Sequence, residues 1–135
     1  MQTFLPYPDF EKSALCLDYK RLGKQRVEAY QIINVLISNK TEGGWVNHPA
    51  VRMWRGHIAA LQQYYNTIVT EWISRGYKNN MRLYSISIPD VRYPLWLGDE
   101  KFHASHRSNL LRKFPEHYGK FGWKESSNLP YIWPV

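Results

Sequence analysis

From Ser13 to Ile32 the chain keeps an apolar skeleton while carrying four cations, Lys20, Arg21, Lys24 and Arg26, and two carboxylates, Asp18 and Glu28. The apolar residues then thicken: Val27, Tyr30, Ile32, Ile33, Val35, Leu36 and Ile37 fall on nearly every side of a helical wheel. A segment of that kind has to lie at the centre of a core. It is therefore a folded surface, not a disordered tail, that presents the positive charge, and Gly23 sits in its middle.

The flanking segments suit the same plan. Residues 1–8 contain Pro6 and Pro8 and are expected to be extended and packed. Asp9 is a suitable cap for a helix to about Leu22, with Gly23 as a break or kink before a second helix from Lys24 to Ser38. A loop follows from Ser38 to Val46, with Asn39, Thr41 and Gly43-Gly44 as breakers. Asn47 as N-cap, Pro49 in the first turn and Gly76 after Arg75 then predict one long helix, on the order of 40 Å at the standard rise. Leu83 to Ile88 alternates but has no evident partner strand, so it is read as extended chain laid across the helices. Asp99 caps a last helix to Lys113 or Phe114, stopped by Pro115, with Phe102, His106 and Leu110 inside and Arg107, Arg112 and Lys113 outside. The expected fold is all-α: a compact, single-domain helical bundle over 1–135 with extended, aromatic-rich N- and C-terminal segments.

Charge and composition narrow the function. A net charge of +7 and 16% aromatic residues favour an acidic partner with stackable faces, and nucleic acid has both. Three basic sets recur along the chain, and helices could bring them to one face: Lys20, Arg21, Lys24 and Arg26; Arg52 and Arg55; and Arg107, Arg112, Lys113 and Lys120. Cys16 is the sole cysteine, which excludes an internal disulfide framework, and a buried thiol is the expected state. No apolar run approaches a membrane span. His103 and His106 share a helical face, but neither a nearby cysteine nor an HExxH pattern supports a metal site, and no phosphate-binding glycine loop is present. No metal or cofactor is expected, and the protein is read as a cytoplasmic monomer without membrane association.

Several stretches, in order, resemble the pyrimidine-dimer DNA glycosylases of the phage endonuclease V type. Leu17-Asp-Tyr-Lys-Arg-Leu-Gly-Lys-Gln-Arg-Val27 is similar to that family's N-terminal helix. Asn47-His-Pro resembles its glycine–histidine turn, and Glu71-Trp-Ile-Ser-Arg-Gly-Tyr77 its helix ending in Arg-Gly-aromatic. Arg112-Lys-Phe-Pro-Glu-His-Tyr-Gly-Lys120 resembles its C-terminal segment.

The resemblance implies an all-helical enzyme for double-stranded DNA that flips a nucleotide out of the stack and cuts its glycosidic bond. It implies a chain α-amino group that attacks C1′ to form a Schiff base, a carboxylate that assists, and β-elimination that nicks the strand. An α-amino group titrates near pH 8, at about 7.7–8.0, so a useful neutral fraction exists at pH 7. Two positions differ from the family pattern: Gln2 stands where the family exposes a small residue after Met removal, and Arg21 stands where it keeps its glutamate. The expected catalytic groups are accordingly Met1, with Glu28 preferred to Asp18 as the carboxylate. Lys20, Arg21, Lys24, Arg26, His48, Arg107, Arg112, Lys113 and Lys120 are the expected DNA-binding residues. Two rivals remain at this stage: a non-catalytic DNA-binding module on the same scaffold, and a protein-interaction adaptor that uses the aromatic tail.

Overall fold

The computed structural model describes residues 1–38 and 42–135. The expected loop of Ser38 to Val46 therefore lies partly outside the described residues, including Asn39 and Thr41. The described residues form six α-helices, in order: α1 (Phe10–Cys16), α2 (Tyr19–Ile37), α3 (Pro49–Arg52), α4 (Ile58–Ser74), α5 (Glu100–Lys113) and α6 (Pro115–Tyr118). Among the described residues there is no strand, and the expected all-α class holds.

Two boundaries differ from the sequence expectation. The first break falls at Leu17-Asp18, both extended, and not at Gly23, which lies inside α2. Asp9 caps α1 as expected, accepting from the Lys12 amide at 3.1 Å. Gly23 serves packing: a Cβ there would stand 2.9 Å from Cζ3 of Trp72 on α4. That indole cannot swing away, because its Nε1 donates to Lys78 O at 2.8 Å and the Arg26 guanidinium lies 4.2 Å from its ring. Gly23→Val should cost about 1–3 kcal/mol of stability by overpacking the contact between α2 and α4. Denaturant unfolding measures it, and a wild-type midpoint would mean the two helices can separate there freely.

The second correction concerns the long helix. It divides into α3 and α4, with Gly56 at φ 81° in the intervening turn, a conformation open mainly to glycine. The cap of α3 is His48, not Asn47: its Nδ1 accepts from the Ala50 amide at 3.0 Å. The break lets Met53 and Trp54 turn fully into the core. Gly76 does end α4 as predicted, at φ 88°.

The core is built where α2 crosses α4, from Leu22, Ala29, Ile32 and Ile33 against Leu61, Ile68 and Val69. On another side lies α5, which begins at its expected cap Asp99. Phe102, His106 and Leu110 are buried as predicted, but so are Ser105, Ser108 and Asn109. The reason is backbone satisfaction. The chain ends are extended and have no sheet partner, so side chains must take up their N–H and C=O groups. Ser108 Oγ donates to Ser126 O and accepts from the Leu129 amide, Asn109 donates to Leu129 O, and Ser105 Oγ accepts from the Ile132 amide. The C-terminal segment is thereby laid along α5. Leu83 to Ser87 has no strand partner, as read, whereas Ile88 opens a short 3-10 turn with Pro89 and Asp90. The segment is tied to α4 through Asn66, which bonds both N and O of Tyr84.

Candidate active site

The first six residues form the buried axis on which the site is built. Polar side chains from three helices grip their backbone. Gln25 of α2 accepts from the Phe4 amide at 3.0 Å, and the Tyr64 hydroxyl of α4 lies 2.9 Å from Phe4 O. On α5, His106 Nδ1 accepts from the Leu5 amide at 3.1 Å and His103 Nδ1 donates to Leu5 O at 2.8 Å. These partners assign both tautomers, since His103 Nε2 accepts from the Gly98 amide. Both rings are neutral cores: burial lowers each pKa, that of His106 to about 3. Trp54 Nε1 donates to Thr3 Oγ1 at 3.1 Å. Thr3 through Pro6 are thus buried, and the chain emerges half-buried at Met1 and Gln2.

Met1 emerges into a cleft of about 500 Å³. One face of α2 supplies Lys20, Arg21, Lys24 and Glu28; α5 supplies Lys113; and Phe4, Tyr131 and Trp133 supply aromatic walls. Helical spacing accounts for the α2 contribution. Lys20, Lys24 and Glu28 recur every four residues, and Arg21 lies about two turns before Glu28.

Gln25 joins the two chemically active ends of this cleft. Its Nε2 donates to Gln2 O and to Glu28 Oε2, each at 2.9 Å, while its Oε1 takes the Phe4 amide and lies 2.5 Å from the Tyr64 hydroxyl. One buried amide therefore sets the position of the chain start relative to the carboxylate. Glu28 has its pKa raised by burial, with the Met1 ammonium, Lys24 and the Gln25 hydrogen bond acting in the opposite direction but not cancelling it. His48 has its pKa lowered by burial and then by the Met1 ammonium. Its ring also stands 6.1 Å from that of Trp133, which places it beside the cleft.

Other expected residues lie elsewhere. Asp18 is buried and does not line the cleft. Burial pushes its pKa up, but hydrogen bonds from Tyr118 at 2.5 Å and Arg21 at 3.1 Å outweigh it and hold the carboxyl below its ordinary value. Asp18 thus anchors Arg21 and offers no proton exchange in the cleft. Arg107, expected outside, is buried: it pairs with Glu100 and Glu125 and donates to Pro6 O, joining both chain ends to α5. Arg26 faces Trp72 and Asn79 on the α4 side. Arg112 is exposed but engaged with Asn109 and Ser127 O, and exposed Lys120 lies over Phe121, so neither lines the cleft. Cys16 is the expected buried thiol, pushed up to about 12 by burial.

Sequence reasoning missed Gln25, Tyr131 and Trp133. A glutamine one turn before Glu28 on a basic face was a usable signal for the first. Nothing local places the aromatic pair beside α2. A second recess, of about 330 Å³ between α1 and α4, carries Glu11 and Glu71 and no cation, so it does not suit a polyanion. Among the described residues no group of three or more His, Cys, Asp and Glu side chains is arranged to hold a metal ion, and no helix is long and apolar enough to cross a membrane.

An amine, a carboxylate and four cations around one cleft define a class of small helical protein that can bind a polyanion and exchange protons with it. Comparison with known families is more specific. The chain belongs to the pyrimidine dimer DNA glycosylase family, whose model matches residues 1–85. That membership makes it a DNA-acting enzyme of the glycosylase class. The matched region holds Met1, α2 with Glu28, and His48, whereas Lys113, Tyr131 and Trp133 lie beyond it. No curated protein and no solved structure matches the chain.

Proposed function

We propose that the protein is a DNA glycosylase with AP lyase activity on a damaged or modified pyrimidine in duplex DNA, with the Met1 α-amino group as nucleophile. The observation that carries this reading is the meeting of the Met1 amine, Glu28 and Lys20, Arg21, Lys24 and Lys113 in one cleft. Lysine and arginine side chains there would take phosphates on either side of the lesion. Removing a nucleotide from the stack costs roughly a few kcal/mol, least at a damaged base, and such contacts can offset it.

The chemistry then proceeds at the sugar. The neutral amine's lone pair forms a bond to C1′, and the glycosidic C–N pair leaves with the base, which takes up a proton. The amine loses a proton, the C1′–O4′ bond opens, O4′ gains a proton, and C1′ becomes an iminium linked to Met1. Loss of the C2′ proton then expels the 3′ phosphate by β-elimination and nicks the strand. Glu28 is suited to these transfers because its raised pKa makes it a better proton donor near neutrality than an ordinary carboxyl, and its conjugate base a better acceptor. The resemblance aligns Arg21 with the family's glutamate, and Glu28 brings a carboxylate to the same helix face as Arg21.

The test is borohydride trapping on duplex DNA with an abasic site, followed by peptide mapping. An adduct on Met1 is expected. No adduct, or one on Lys20, Lys24 or Lys113, would remove the α-amino mechanism. Salt-sensitive binding without any adduct or base release would instead favour the DNA-binding module.

A further inference from the structure

Beside the amine and the carboxylate, the cleft has a wall that the bond-breaking steps do not use. Tyr131 and Trp133 line it, their rings 5.9 Å apart, and both are partly buried. The aromatic series continues outward: the His48 ring meets Trp133 edge-on at 6.1 Å, and Trp45 lies 5.7 Å from His48. Trp45 is 53% exposed, far more than core packing requires. These residues come from two separate places, the turn before α3 and the C-terminal segment. The latter is held against α5 by Ser105, Ser108 and Asn109, so the wall is a fixed surface.

We infer that Tyr131 and Trp133, extended by His48 and Trp45, form a stacking subsite for an unpaired nucleobase next to the reacting sugar. The inference rests on the glycosylase reading and adds the residues that hold the base. The occupant follows from the neighbours. Aromatic faces flanked by Lys20, Lys24 and Lys113 suit a ligand that is flat and apolar at one end and anionic at the other, which describes a nucleotide. A cleft of about 500 Å³ also lies within the range of pockets that enclose small organic ligands. An apolar peptide would leave the ring of cations unmatched.

Stacking acts on the base, whereas Schiff-base formation at an abasic site involves no base. That separates this inference from the reading beneath it. Trp133→Ala should lower base release from ultraviolet-irradiated duplex on the order of tenfold or more, the scale of one lost base–aromatic contact. Trapping of the same variant on abasic duplex should fall much less than its base release, and Trp133→Phe should recover most of the base release. Trp45→Ala, at an exposed position that the fold tolerates, should show the same split at smaller size. Equal loss on both substrates by Trp45→Ala and a folded Trp133→Ala would make the wall a general DNA contact and overturn the inference. Unchanged base release in both variants would overturn it as well. A wild type that neither traps nor releases base would sink the underlying reading instead.

Discussion

Glu28→Gln should lower base release and abasic-site trapping by about 10²–10⁴-fold, the usual scale for a positioned proton-transfer group. The substitution is nearly isosteric, and Gln25 Nε2 can still donate to the new side-chain oxygen as it now does to Glu28 Oε2. Binding to abasic duplex should therefore persist in a gel-shift assay while chemistry is lost. Wild-type turnover in the variant would rule Glu28 out as the assisting carboxylate. Stability should move the other way. Burial raises the folded-state pKa of Glu28 above its ordinary 4.5, so between the two values the folded chain binds more protons than the unfolded one. Stability then falls as pH rises through that window. Glu28→Gln removes the charge and should melt above the wild type at pH 7, with the difference shrinking as pH drops through 4.5. A site that gains stability when its charge is removed is one where function has been kept at a cost in stability.

Gln25→Leu should be the most damaging single change near the cleft. Leucine matches the size but leaves the Phe4 amide and Gln2 O without their partner, together with one contact each of Tyr64 and Glu28. Orphaned buried polar groups cost about 1–3 kcal/mol each, so a total loss of roughly 3 kcal/mol or more is expected on denaturant unfolding. Activity should fall further than stability explains. The chain start and Glu28 would no longer share one anchor, and small misplacements at a reacting centre are costly, about 10²-fold for 1 Å. Gln25→Glu separates the two effects: it keeps an acceptor for the Phe4 amide but puts a second carboxylate beside Glu28. If Gln25→Leu remains fully active once folded, the amide is a core residue and does not position the site.

The α2 face shows how much one helix discloses. Helical spacing puts Glu28 one turn from Lys24, but the expected break at Gly23 left Lys20 and Arg21 on a separate helix. The structure joins the two pairs by running α2 through Gly23. The same spacing failed for Arg26 and Arg107. A basic residue at the edge of a helix face can turn outward to phosphate or inward to Trp72, Glu100 or Glu125, and a neighbour distant in sequence makes the choice. Gly23 was misread for a similar reason. Glycine inside a helical pattern suggests a break, yet here it admits the edge of Trp72 from α4. The real break at Leu17-Asp18 lacks a Pro or Gly signal, and Asp18 bonds Tyr118, one hundred residues away, in place of capping the backbone.

Residue identity and spacing alone therefore determined the helical class, the basic character of the segment around Glu28, and the likeness to the glycosylase family. These are properties of single segments, legible because helical periodicity sorts side chains by face. Spacing overstated the burial of α2, where Ile32 and Ile33 are buried but Val27, Tyr30 and Ile37 are exposed. Packing determined which segments meet. It threaded residues 1–6 between α2, α4 and α5, brought Met1 to Glu28 through Gln25, and carried Tyr131 and Trp133 across the molecule to the same cleft. Those contacts span up to about a hundred positions along the chain. They depend on every buried N–H and C=O of an extended segment finding a partner, a condition met only when the whole chain is folded.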